Sequence, residues 1–293
     1  MQKFPNTLTF AAMRSWIPNV LTLFNLLCGV IGIYLVFNDQ LALAAAMIYL
    51  GAFFAFFDGL IARAIGAQSA VGKELDSLSD LVTFGVLPGF IVFAFLKISL
   101  GHYFTSHDDM SLNVLAICSL AFLIPLSASL RLARFNVDED QTTYFKGLPT
   151  PAAAIFVSSL PLMYELQFSP MNYRAKITGE VFDVTAKTLY WDAFDISIYQ
   201  AFQTPLVLVL FTVLLVTLMN APVRLIAFKF KGLSWGNNEE RYVLIIAIVC
   251  TLILAFIHNI FWVKFIPFLE WFSLIVILAE YLLISLIYRK KMH

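Results

Sequence analysis

The sequence predicts an all-α fold, a polytopic membrane bundle of about eight transmembrane helices with both termini cytoplasmic. Three observations carry that expectation. Of the 293 residues, 60% are hydrophobic and only 13% charged, where a soluble domain carries about a quarter charged residues. Mean hydropathy is +0.84. The apolar runs are continuous and about twenty residues long, the length of a membrane-crossing helix, not the roughly ten-residue alternating segments of a β-barrel.

The spans expected are 17–37, 41–57, 75–96, 112–130, 151–166, 205–220, 242–257 and 265–287. The second is short, so its helix is expected to run past Asp58 into the polar segment that follows. Residues 1–15 lead straight into a span-length run, so no cleavable signal is expected. Basic residues mark one side of the membrane: Lys3 and Arg14, then Arg63 and Lys73, then Arg131, Arg134 and Lys146. The same side continues with Arg224, Lys229, Lys231 and Arg241 and ends on Arg289, Lys290 and Lys291. The other side holds Asp39, His102, His107, Asp108 and Asp109, with His258 and Lys264 further on. By the positive-inside bias the first group is cytoplasmic, and an even number of spans satisfies it.

Residues 167–203 form a polar, aromatic-dotted stretch expected to be an extracytoplasmic loop. Strand-like alternation over 176–190 suggests a small hairpin or cap within it. The chain shows no repeat of fixed period, which weighs against a transporter built from inverted halves. Net charge is zero, so no nucleic-acid partner is expected. The three cysteines, Cys28, Cys118 and Cys250, each lie inside an apolar run with neither metal-box nor disulfide spacing.

Residues 53–87 interrupt this apolar pattern with acids: Asp58, Asp76 and Asp80. Ionisable groups in membrane-type sequence are costly and mark a functional site by default. Asp76 and Asp80 are four apart, so a helix puts them on one face one turn apart, with Gly72 a turn before them. An antiparallel helix pair would bring Asp58 to the same membrane boundary, beside Gly59, which has no side chain to block approach. Three converging carboxylates suit a hard divalent cation, Mg²⁺, Mn²⁺ or Ca²⁺, and not zinc. Arg63 next to them suits a phosphate-bearing substrate. The alternative is three acids ending helices at the interface.

The pattern Asp58-Gly59-x-x-Ala62-Arg63, then Gly72-x-x-x-Asp76-x-x-x-Asp80, resembles the signature of the CDP-alcohol phosphatidyltransferases. The resemblance implies an integral membrane enzyme that displaces CMP from a CDP-linked lipid. It also implies a metal site of two ions holding the diphosphate, Asp80 as general base, and a homodimer. The CDP contacts it implies are Asn19, Thr22, Gly59, Ala62, Arg63 and Gly72. One position departs from the pattern: Ala55 stands where the signature has a further aspartate. A methyl group cannot ligate a metal, so the resemblance implies an impaired chain. The neighbouring signature is intact, which favours a single replacement over gradual decay of the site.

Pro18-Asn19-x-x-Thr22-x-x-Asn25, the run 130–136 and the run 146–154 are similar to the phosphatidylserine synthase branch of that family. The implied substrates are CDP-diacylglycerol and L-serine, with membrane lipid around the bundle. Residues 1–166 would be the catalytic helices, and 204–293 further helices of the same domain. Arg131 and Arg134, three apart on one face, could bind the serine carboxylate or a phosphate by bidentate hydrogen bonds. Asn136 and Lys146 would complete that polar wall. The implied location is a bacterial-type inner membrane with the site facing the cytoplasm. Rival readings are a glycerol-phosphate or inositol-phosphate acceptor, a non-catalytic lipid-nucleotide-binding relative, and a cation channel. The channel would call for acids recurring mid-span.

Overall fold

A computed structural model describes residues 10–102, 105–106, 109–138, 144–164, 193–227, 234–261 and 273–288. The first helix, α1 (Phe10–Phe37), begins earlier than hydropathy suggested and carries Pro18 inside it. A tight turn, with Asp39 at φ 58°, reverses the chain into α2 (Leu41–Ala64). These two form a long hairpin. As expected, α2 runs on past Asp58, and it stops at Gly66, whose φ of 64° is the left-handed conformation that glycine enters without a Cβ clash.

Ser69 then starts α3 (Ala70–Leu81), its hydroxyl accepting from the Gly72 N–H at 3.0 Å. The helix continues through a π-helical turn, Val82–Val86, into α4 (Leu87–Ser99). Pro88 sits in the first turn of α4 and has no N–H to offer the carbonyl before it, so the ladder is re-paired at this point. Together, Ala70–Ser99 is the central helix: 67% of its most apolar window is buried, against 33%, 33% and 28% for Trp16–Phe37, Leu41–Ala64 and Leu112–Val137. Among the described residues these four are the helices long and apolar enough to cross a membrane.

The fourth is built from α5 (Leu112–Ser119), a 3₁₀ turn and α6 (Leu123–Val137). It crosses the central helix at small residues. A Cβ on Gly85 would lie 3.0 Å from the Ala128 Cβ, and one on Gly89 would lie 2.9 Å from Pro125 Cδ. Close backbone approach of this kind is how membrane helices gain packing without a hydrophobic driving force. Shorter apolar helices follow: α7 (Thr150–Leu162), α9 (Pro205–Asn220) and α11 (Ser273–Ile287). Between them lie α8 (Ala193–Phe202) and α10 (Glu239–Phe261).

The helix α8 falls within residues expected to be loop; the strand-like alternation over 176–190 lies outside the described residues. One small sheet departs from the all-α expectation. β1 (Tyr144–Lys146) pairs antiparallel with β2 (Arg224–Ile226), Lys146 opposite Arg224. Tyr281 and Ser285 of α11 hold β2 from the other side, donating to the Ile226 carbonyl at 3.0 Å and accepting from its N–H at 3.2 Å.

The core gathers Leu41, Ile48, Phe84, Leu87, Ile91, Ile124, Leu160 and Leu208 around the central helix. Large apolar residues such as Trp16, Leu23, Leu27, Phe37, Leu126 and Leu210 point outward. So much exposed apolar surface, on helices of spanning length, is the outside of an integral membrane protein facing lipid acyl chains.

Candidate active site at the ends of three helices

Three stripes of side chains meet where α1, α2 and α3 converge. On α1 the stripe is Pro18, Thr22 and Asn25; on α2 it is Gly51, Ala55 and Asp58; on the third helix it is Asp76, Asp80 and Thr83. Each set is spaced three or four residues apart and so shares a helix face. The Thr22 hydroxyl donates to Asp58 Oδ2 at 2.7 Å, sharing its proton with the Pro18 carbonyl at 3.1 Å. Asn25 Nδ2 donates to Asp80 Oδ1 at 2.9 Å. In return the Thr83 hydroxyl donates to the Asn25 carbonyl at 2.8 Å. Asp80 is therefore held from α1, and α1 is held from the π turn just past Asp80.

Glycines let the three helices approach so closely. A Cβ on Gly51 would stand 2.5 Å from Thr83 Cγ2, and one on Gly29 would stand 2.5 Å from Thr83 Oγ1. A Cβ on Gly72 would come within 3.0 Å of Asn19 Oδ1. The bare face of Gly59 leaves room for the Arg63 guanidinium, 3.4 Å from where a Cβ would be.

A cavity of about 530 Å³ opens at this convergence. Asn19, Thr22, Asp58, Gly59, Ala62, Arg63, Gly72 and Asp76 all line it, and Ser69 and Lys73 complete its wall. The sequence singled out every one of these except Ser69 and Lys73. Lys73 donates to the Asn136 carbonyl at 2.7 Å, and Asn136 Nδ2 donates to Ser77 at 2.9 Å. Asn136 thus ties α6 to α3 and is not among the residues lining the basic cavity described next, where the sequence reading had put it.

Asp76 and Asp80 lie one turn apart on α3, and Thr22 and Asn25, on one face of α1, bond Asp58 and Asp80 at the same helix junction. Carboxylate oxygens of this kind are the donor set of a hard cation. Asp58 is turned toward Thr22 and Asp80 toward Asn25, and among the described residues no three His, Cys, Asp or Glu side chains form a metal-holding cluster. Ala55 sits a turn from both Gly51 and Asp58 on α2, is not among the residues lining the cavity, and packs its methyl group against the core.

A second cavity, of about 610 Å³, lies on the α6 side. Arg131, Arg134 and Lys146 line it, with Asp138 and Met219–Pro222. Lys146 is paired to Asp138 at 2.5 Å. Arg131 is buried, and its Nε has no hydrogen-bond partner among the described residues. Asp80 is not among the residues lining either cavity; it lies one helical turn beyond Asp76 of the acidic one and is bonded to Asn25.

Asn25, Thr83 and Asn220 were not assigned a role from sequence, and Lys73 was read only as one of the basic residues marking the cytoplasmic side. Asn25 could have been: it lies three residues past Thr22, hence on the same face of α1.

A helical membrane protein with one acidic, Arg-bearing cavity and one basic cavity has the polar groups of a membrane protein that handles charged, phosphate-bearing molecules. Residues 15–194 match the CDP-alcohol phosphatidyltransferase family, and the chain belongs to it. Among its relatives is the CDP-diacylglycerol–serine O-phosphatidyltransferase of Bacillus subtilis, 32% identical over 150 residues, covering 51% of this chain and 77% of that protein. The enzyme of the same name from Mycobacterium leprae is 33% identical over 159 residues, 52% of this chain and 48% of that one. An archaetidylserine synthase of Methanothermobacter thermautotrophicus is 34% identical over 148 residues, 50% of this chain and 58% of that protein. The chain thus spans about half the length of the latter two.

Proposed function

We propose that the protein is a phosphatidylserine synthase, transferring the phosphatidyl group of CDP-diacylglycerol to L-serine with release of CMP. The observation that carries this reading is the convergence of Asp58, Arg63, Asp76 and two glycines on one cavity, with Asp80 one helical turn beyond Asp76 and bonded to Asn25. The relatives named above, with serine as the acceptor in their names, favour serine over glycerol phosphate or inositol phosphate. A phosphorylated acceptor would call for a larger basic cluster than Arg131, Arg134 and Lys146, one of which is already paired to Asp138.

In this reading Asn19, Thr22, Gly59, Ala62, Arg63 and Gly72 bind the CDP group. Glycines at 59 and 72 admit it, and Arg63 can give the diphosphate parallel N–H donors. Asp58, Asp76 and Asp80 are the residues that would hold divalent metal, Mg²⁺ or Mn²⁺ with Ca²⁺ as a further candidate, two ions in an intact site. Such ions neutralise the diphosphate and the charge that develops on the departing CMP. Arg131 and Arg134 orient serine through its carboxylate. Asp80 accepts the serine hydroxyl proton as that oxygen bonds to the β-phosphorus. The bond from the β-phosphorus to the bridging oxygen breaks, and CMP leaves with the electron pair. Asn25 keeps the Asp80 carboxyl turned correctly for this transfer.

Ala55 removes a ligand and impairs this chain. The remaining features of the reading are eight spans, cytoplasmic termini, a site opening to the cytoplasm at a bacterial-type inner membrane, and a homodimer. Metal-dependent CMP release from CDP-diacylglycerol with labelled serine, measured on this chain and on Ala55→Asp, is the test. Release with glycerol phosphate but not serine would overturn the acceptor. CDP-diacylglycerol binding without CMP release in both chains would favour a non-catalytic relative.

A further inference from the structure

The basic cavity has a wall that the family match does not reach. Met219–Pro222 close the end of α9 and lie beyond residue 194, where the match stops. Asn220, the last residue of α9, is the polar side chain of that wall. Its Nδ2 donates to Ser127 Oγ of α6 at 2.6 Å and to the Val216 carbonyl at 3.3 Å. Its Oδ1 accepts from Arg134 Nη1 at 3.4 Å.

Chemistry fixes which way this amide points. Turned over, its oxygen would face the Val216 carbonyl and its NH₂ would face a guanidinium that can only donate. Ser127 reinforces the orientation, since its own proton goes to Val216 O at 3.3 Å and leaves its lone pairs for Asn220. Asn220 therefore presents an acceptor to Arg134, while Arg134 is an exposed side chain with four further N–H donors free in principle for an anion.

The same helix end also places Lys146. The Gly147 N–H donates to the Val223 carbonyl at 2.8 Å and the Leu148 N–H to the Leu218 carbonyl at 2.9 Å. Gly147 lies against the Met219 carbonyl at φ 74°, where any Cβ would clash. Two of the cavity's three cations are thus set by the end of α9.

We propose that Asn220 is a positioning residue for the acceptor, aiming the Arg134 guanidinium into the cavity so that it meets the acceptor's carboxylate. This rests on the reading of the basic cavity as the serine site, and the experiment separates the two. L-Serine binding is measured by equilibrium dialysis on the full chain in detergent micelles containing CDP-diacylglycerol, alongside binding of CDP-diacylglycerol itself. The variants are Asn220→Leu, Ser127→Ala, Arg134→Gln and the Asn220→Leu/Arg134→Gln pair. Ser127→Ala is nearly isosteric and keeps the question answerable if Asn220→Leu fails to fold.

Asn220→Leu is expected to weaken serine about tenfold and Ser127→Ala about threefold, with CDP-diacylglycerol affinity unchanged within twofold. The double variant is expected to bind serine no worse than Arg134→Gln alone, because the two act through one contact. Additive losses, or equal losses for both ligands, would overturn the positioning role and leave Asn220 as a helix-end tie. If Arg134→Gln binds serine like the parent, or the parent binds none, the serine site itself is lost and the inference goes with it. If Arg134→Gln weakens serine while Asn220→Leu and Ser127→Ala do not, the inference alone fails.

Discussion

The acidic cavity takes its lining from residues 18–76, on three consecutive helices, whereas the basic cavity joins Arg131, Arg134 and Lys146 to Met219–Pro222 across about ninety positions of chain. In the first, spacing along each helix does most of the placing. Residues three and four apart face one way, and a short connection brings α2 back against α3. In the second, no local periodicity relates the two walls. They meet because β1 pairs with β2 and because Asn220 bonds across to α6. Chemistry that must tolerate little displacement is thus built on a continuous scaffold, and the part that would select an acceptor is built at a long-range junction.

The comparison can be broken first at Asp80, one helical turn beyond Asp76 of the acidic cavity. Asp80→Asn, introduced together with Ala55→Asp, should lower CMP release by roughly 10²–10⁴-fold, the usual contribution of a general base, while CDP-diacylglycerol binding survives. Turnover comparable to the parent would remove the assignment. Next in size, Ala55→Asp alone should raise metal-dependent turnover by at least the roughly 10–100-fold that even an outer-shell partner is worth. The gain should vanish with EDTA and return with Mg²⁺ or Mn²⁺. An EDTA-insensitive rate would mean that the carboxylates serve some other purpose.

On the basic side, Arg134→Gln in the Ala55→Asp chain should raise the serine KM about tenfold, as loss of a hydrogen bond to a charged group costs about 1.5–3 kcal/mol. The KM for CDP-diacylglycerol should hardly move; if both rise together, the cavities are not separate sites. Smaller still, Gly51→Ala should destabilise the fold by about 1–3 kcal/mol through overpacking against Thr83. Thermal unfolding in detergent reads that loss, and an unchanged midpoint would mean that α2 can move away from the π turn at little cost. The smallest effect is expected from Thr83→Val, about 1 kcal/mol for one hydrogen bond to the Asn25 carbonyl.

Helix lengths and the acidic stripe were legible because they are local. Apolar run length and the i, i+4 relation of Gly72, Asp76 and Asp80 follow from helix geometry alone. Boundaries were less so: α1 begins at Phe10 and holds Pro18 within it, a residue that reads as a start signal when only the local sequence is considered. The Lys146 loop shows the opposite limit. Proline fixes φ and restricts the residue before it, so Pro149 and Pro151 shape the entry to α7, but nothing local shows that the strand before it pairs with residues 224–226. Asn136 carried the right chemistry for an anion site and is instead committed to Ser77, because α6 packs on α3 along that face.

Composition and periodicity therefore sufficed for a membrane helical bundle and for an acidic stripe on neighbouring helices. Each is a property of one helix, or of two helices joined by a short turn. That Asn25 grips Asp80, that Arg131 lies buried, and that the end of α9 walls the basic cavity are matters of helices packing across the bundle. Such contacts depend on glycine-scale approach distances at Gly29, Gly51, Gly85 and Gly147, which a linear pattern of residue types does not encode.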